Sequence, residues 1–120
     1  GTLCHVNNTQ DVYKKEENSS VTLILLSAVN TTSDVVSIEL RNESSNFIFY
    51  RYKNTFQPEP YNVFGDRLQC DPHLDSNGRI KCVLTDLRMD DTGSYEGIVK
   101  VRGKAGDRPC NTKWQLEVVK

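Results

Sequence analysis

Turn-forming residues punctuate this 120-residue chain at short intervals: Glu17-Asn18-Ser19, Asn30-Thr31-Thr32, Asn42-Glu43-Ser44, Pro58-Glu59-Pro60, Ser76-Asn77-Gly78 and Gly103-Lys104-Ala105-Gly106. Short runs rich in Val, Ile, Phe and Tyr lie between them. No helical periodicity lasts longer than one turn. Many short strands at such spacing predict an all-β sandwich or barrel. The expected strands cover 3–6 with 12–14 (one broken strand), 21–26, 35–41, 47–53, 61–63, 67–70, 80–84, 94–102 and 112–119. Alternation is clean in the last of these. Trp114, Leu116 and Val118 share one face, and Lys113, Gln115 and Glu117 share the other.

The length suits one domain over residues 1–120 with one core. The chain carries 15 basic and 16 acidic residues. Without a basic surplus there is no electrostatic call for a nucleic-acid partner. No stretch approaches the roughly 20 apolar residues of a membrane span. The chain opens on Gly1-Thr2 without a signal peptide and stops just after a strand-like run. It is therefore expected to be a piece of a longer protein.

Cysteines and sequons point outside the cytosol. The four cysteines are Cys4, Cys70, Cys82 and Cys110. None sits in a C-x-x-C pair and the spacings match no zinc pattern, so disulfides are expected. Four cysteines permit three pairings, and spacing does not decide among them. Asn-x-Ser/Thr occurs at Asn7, Asn18, Asn30 and Asn42, against about one or two expected by chance in such a composition. All four are candidate glycosylation sites.

The segment Leu87-Arg88-Met89-Asp90-Asp91-Thr92-Gly93-Ser94-Tyr95-Glu96-Gly97 resembles the D-x-G-x-Y-x-C signature of immunoglobulin variable-type domains, with glycine in place of the cysteine. Cys82-x-Leu84-x-x-Leu87 resembles the run that precedes the signature, and residues 16–23 resemble the family's entry into its second strand. The resemblance covers about residues 3–119. It implies an immunoglobulin-like V-type β-sandwich of two antiparallel sheets with Greek-key connections. It implies a corner at Gly93, a core Tyr95 whose hydroxyl bonds nearby backbone, and an Arg67–Asp91 pair.

The departures from that pattern carry expectations too. The family's inter-sheet disulfide would fall at Leu25 and Gly97, where none can form; a large residue opposite the smallest conserves volume. Its usual tryptophan is missing, with Ile38 the candidate for that site and Trp114 expected to fill part of the space. In the variable-type topology Cys4 comes near Cys110. Cys70 and Cys82 should point inward from adjacent strands. The expected bridges are Cys4–Cys110 and Cys70–Cys82.

Chemistry is sparse. His5 and His73 are far apart, no serine sits in a nucleophile elbow, and no phosphate loop is present. The stretch 71–78 reads as an Asn-Gly turn. No catalytic residue, cofactor, metal or small-molecule substrate is expected, which leaves binding.

Residues 47–52 carry aromatics at both parities, and a half-buried strand hides only one set. Arg rarely enters a core unpaired, so Phe47, Phe49 and Arg51 are expected outside. With Tyr95, Gly97 and Val99 inward, Glu96, Ile98 and Lys100 are outside as well. Together these six form the candidate partner-binding set. Every sequon lies at or before Asn42, which leaves the centre of that sheet clear. This is the adhesion face of many membrane-distal domains in the family.

The overall pattern is similar to the first domains of allorecognition proteins of the hydroid Hydractinia. That resemblance implies homophilic cell–cell recognition, with the same protein on an opposing cell as partner and membrane attachment through a segment outside this chain. The alternatives are a heterophilic leukocyte-type receptor ectodomain and a secreted binding protein.

Overall fold

The computed structural model describes residues 10–26, 34–55, 59–103 and 106–120. The expected strand at 3–6 lies outside them. Nine strands are present among the described residues: β1 Asp11–Glu16, β2 Val21–Leu26, β3 Val35–Asn42, β4 Ile48–Lys53, β5 Tyr61–Asn62, β6 Leu68–Cys70, β7 Arg79–Leu84, β8 Gly93–Val101 and β9 Arg108–Val119. The last begins four residues earlier than the alternation alone suggests, because Arg108 to Asn111 continue the pairing with β8. Single 3-10 turns cover Gly65–Arg67 and Met89–Asp91.

Six strands form one sheet in the order β1-β9-β8-β3-β4-β5, and three form the other, β2-β7-β6. Strand β1 runs parallel to β9, whereas every other pairing is antiparallel. Burial follows the period of two. Val21, Leu23 and Leu25 of β2 and Ile80, Cys82 and Leu84 of β7 face Leu40, Val99, Trp114, Leu116 and Val118 across the core. Inward and outward side chains alternate because successive Cβ atoms point to opposite faces of a pleated strand.

Leu25 and Gly97 meet in this core. A Cβ on Gly97 would stand 2.8 Å from Leu25 Cδ2, 3.1 Å from Leu40 Cδ2 and 3.2 Å from Trp114 Cζ3. Three side chains thus occupy the volume that any residue other than glycine needs. Trp114 also stacks on Tyr95, with ring centroids 5.6 Å apart and 17° between planes. Ile38 is fully buried.

The corner expected around Gly93 is present in detail. The Tyr95 hydroxyl donates to the Asp91 carbonyl. Arg67 and Asp91 form a salt bridge between two largely covered side chains. The Asp91 carboxylate also accepts from the Arg88 amide at 2.8 Å. Arg67 reaches the Thr85 and Asp86 carbonyls, each at 3.2 Å. The result ties the entry of β6 to the entry of β8, and satisfied partners are what make a buried carboxylate tolerable.

Cys70 and Cys82 sit directly opposite each other on β6 and β7 and are disulfide-bonded. Cys110 is buried on β9 and disulfide-bonded, while Cys4 lies outside the described residues.

Candidate recognition face

The outer face of the six-stranded sheet is ordered in cross-strand rows fixed by the register. One row runs Pro109, Lys100, Ser37, Lys53. The next runs Asn111, Ile98, Glu39, Arg51, Tyr61. The third runs Lys113, Glu96, Arg41, Ile48. Side chains directly opposite on neighbouring strands stand close enough to pair, and the charges here do so. Arg51 lies 3.3 Å from Glu39 opposite it, Arg41 pairs with Glu96 opposite it, and Lys113, at the end of the third row, lies 3.1 Å from Glu43 in the turn after β3.

Two of the expected binding residues are not available on this face. Phe49 is 6% exposed, not outward. The register gives the reason. Leu40 pairs with Tyr50 while Arg41 pairs with Ile48, so Phe49 is an extra residue with no partner on β3. Such a bulge breaks the alternation. Ile48 points out, and Phe49 and Tyr50 are both buried. One strand thereby hides aromatics of both parities, which regular alternation forbids. Phe49 makes edge contacts with Phe64 and Tyr95 at 5.1 and 5.6 Å between ring centroids.

Glu96 has the outward parity expected of it but is 5% exposed. Arg41 covers it, donating from Nε at 2.8 Å and forming an ion pair through the same guanidinium. Asn111 Nδ2 donates to its other oxygen at 3.1 Å. Its charge is used within the sheet and is not free for a partner.

The other four are accessible. Ile98 is half-buried at the centre, Lys100 and Arg51 are exposed, and Phe47 is 54% exposed. Lys53 and Lys100 flank Ser37 and form no ion pair among the described residues. A shallow depression lined by Ser37, Ile98 and these lysines lies there.

Sequence reasoning missed the apolar edge of this face. Tyr61 is 54% and Val63 52% exposed. Tyr61 lies opposite Arg51, and the Val63 amide donates to the Phe49 carbonyl, which extends the pairing of β5 with β4 by one residue. Tyr61 and Val63 thus place two exposed apolar side chains on β5 and the residue that follows it, at the edge of the sheet beside β4, while Phe47 is exposed just before β4. The sequence shows Tyr61-x-Val63 as a period-two apolar pair, but not the strand beside which it lies.

Of the four sequons, Asn7 and Asn30 lie outside the described residues. Asn18 is exposed in the β1–β2 turn, and Asn42 ends β3. The Asn18 amide donates to the Leu87 carbonyl and that of Glu43 to Ser94, so both sit at the end of the sandwich that holds the Gly93 corner. The Asn42 amide donates to the Phe47 carbonyl, which puts this sequon beside Phe47.

No family model matches the chain, and no curated protein matches it. Among solved structures it is similar to murine CRIg, with a TM-score of 0.67 at 15% sequence identity, covering 100% of this chain and 98% of that one. With the parallel β1–β9 pairing and the two sheets described above, the chain has the fold of an immunoglobulin-like V-type β-sandwich.

Proposed function

We propose that this chain is an extracellular recognition domain, and that it binds a protein partner through the outer face of the six-stranded sheet. The observation that carries this reading is the exposure of Tyr61 and Val63 at the β5 edge of the sheet and of Phe47 at the start of β4, beside the rows of paired charges. An exposed apolar patch rimmed by polar residues is the usual composition of a protein interface. The likeness to murine CRIg agrees with this at the level of fold. The chain sits on a cell surface as part of a single-pass receptor, with glycans on its sequons, and performs no catalysis.

The partner is a second copy of the same protein on an opposing cell. The apolar edge carries no charge, and a net charge of −1 gives little repulsion between copies. A two-fold contact can place the edge of one copy on that of the other. The contact is not centred on Ile98, because Glu96 is already neutralised and Lys100 and Lys53 would meet like charges. A weak contact of this kind gains strength from many copies in register.

A different, acidic partner is the second reading, favoured by the unpaired Lys53 and Lys100 beside Ser37. Bead aggregation with the intact ectodomain separates the two. Homophilic binding requires the parent to clump, and requires Tyr61→Asp and Val63→Asp to abolish clumping while the circular dichroism is kept. Unclumped beads that still bind other cells, with binding lost in Lys53→Glu with Lys100→Glu, would replace the first reading with the second.

A further inference from the structure

Asn77-Gly78 is the one Asn-Gly dipeptide in the chain, and it lies in the connection between β6 and β7. Gly78 has a φ of 74°, a backbone region that favours glycine because a Cβ would be strained there. The lack of a side chain also leaves the Gly78 nitrogen open to the carboxamide beside it. Asn77 is exposed, and its carboxamide makes no hydrogen bond among the described residues. The turn's own geometry thus calls for a reactive pair.

The reaction open to that pair is cyclisation. The Gly78 nitrogen gives up its proton and bonds to Asn77 Cγ, and the side-chain nitrogen leaves with a proton as ammonia. Water then opens the cyclic imide at either carbonyl, which leaves aspartate or isoaspartate at position 77. Closure has two requirements. The chain must rotate about the Cα–C bond of Asn77, and the Gly78 amide must lose its proton.

Asp75 opposes both. Its carbonyl accepts from the Gly78 amide at 3.0 Å, and its own amide donates to the Arg79 carbonyl at 2.9 Å. Its Oδ1 accepts from the Asn77 amide at 2.8 Å and from the Arg79 amide at 3.1 Å. Rotation at Asn77 must break the bonds of Gly78 and Arg79 while that of Asn77 stays anchored. Loss of the Gly78 proton would set a nitrogen anion against the Asp75 carbonyl oxygen, beside a carboxylate bonded to the amides on either side, and like charges so close repel. The Arg79 amide, as the largest cause, holds the Asp75 carboxyl below its usual range, so it is an anionic acceptor at neutral pH. The Cys70–Cys82 bridge pins the two ends of the same segment.

We propose that Asn77 is a latent deamidation site, which the Asp75 turn keeps closed in the folded chain. Opening the turn lets the imide form. The product carries a new negative charge at position 77, and its isoaspartate form adds one carbon to the main chain within the spacing that sets three amides around Asp75.

The test is incubation of the purified chain at neutral pH, with peptide mapping by mass spectrometry to follow deamidation at Asn77. The folded chain should react more than about tenfold more slowly than the same chain in urea, because several hydrogen bonds must open together. Asp75→Ala, in an exposed turn, should keep its circular dichroism and react roughly fivefold faster than the folded parent, the worth of one hydrogen bond. The comparison of folded and unfolded parent stands even where the variant does not fold. Equal rates in folded and unfolded parent, or a folded Asp75→Ala protein that reacts at the parental rate, would overturn the proposal.

Discussion

The Cβ position of Gly97 lies 2.8 Å from Leu25 Cδ2, so each residue sets the size of the other across the two sheets. Gly97→Ala should destabilise the domain by about 1–3 kcal/mol through overpacking. Leu25→Ala alone should cost about 2–5 kcal/mol. The double variant should cost less than the two together, by more than about 0.5 kcal/mol, because the cavity left by one accepts the methyl of the other. Chemical denaturation of the four proteins measures this coupling. Strict additivity would mean that the contact does not decide the pairing.

Arg67→Ala should cost about 3 kcal/mol, since it leaves the Asp91 carboxylate covered and without its countercharge. Arg67→Lys should fall between the two, because an ammonium replaces the charge but not the fork that also reaches the Thr85 and Asp86 carbonyls. Denaturation midpoints of the three proteins rank them.

Tyr95 gives the domain an alkaline signature. Burial, followed by the nearby Asp91 charge, pushes its pKa up to about 12. A raised folded-state value means that the folded form holds its proton longer than the unfolded chain does. The contribution is complete below the unfolded value near 10 and is lost as pH rises toward 12, with a slope of at most about 1.4 kcal/mol per pH unit. Tyr95→Phe should lower stability at neutral pH by about 1 kcal/mol, through loss of the bond to Asp91. It should also flatten the fall between pH 10 and 12. Denaturation at pH 8, 10 and 11 checks both effects.

Phe49 and Phe47 should behave oppositely. Phe49→Ala should cost about 3–5 kcal/mol, and Phe49→Asp should unfold the chain, because the ring packs between Phe64 and Tyr95. Phe47→Asp should leave the melting temperature within a degree or two, as surface substitutions usually do. Thermal melts followed by circular dichroism decide it. A folded Phe49→Asp protein would contradict the bulge.

The cysteines should map under non-reducing digestion as Cys70–Cys82 and Cys4–Cys110. The first closes a short loop, with a sequence separation of 12, and its loss in Cys70→Ala with Cys82→Ala should cost about 3 kcal/mol. A peptide joining Cys4 to Cys70 would overturn both pairings.

Alternation along the chain was enough to assign inward and outward faces to β7, β8 and β9. Side-chain period is a property of a single strand, and Trp114, Leu116 and Val118 follow it without reference to any neighbour. The corner residues Arg67, Asp91, Gly93 and Tyr95 were legible for a related reason: they form a local motif with residue types that few other arrangements require. Lateral relationships were not legible. Whether β4 carries an extra residue depends on how it pairs with β3, and the bulge that buries Phe49 exists only in that register. Glu96 was assigned the right face, yet its availability was decided by Arg41 and Asn111, which arrive from the strands on either side. The apolar edge at Tyr61 and Val63 likewise forms only when β5 is set against β4. A strand's own sequence fixes its faces; which charges remain free on a sheet, and which rings are buried in it, is set by residues far along the chain that pairing brings alongside.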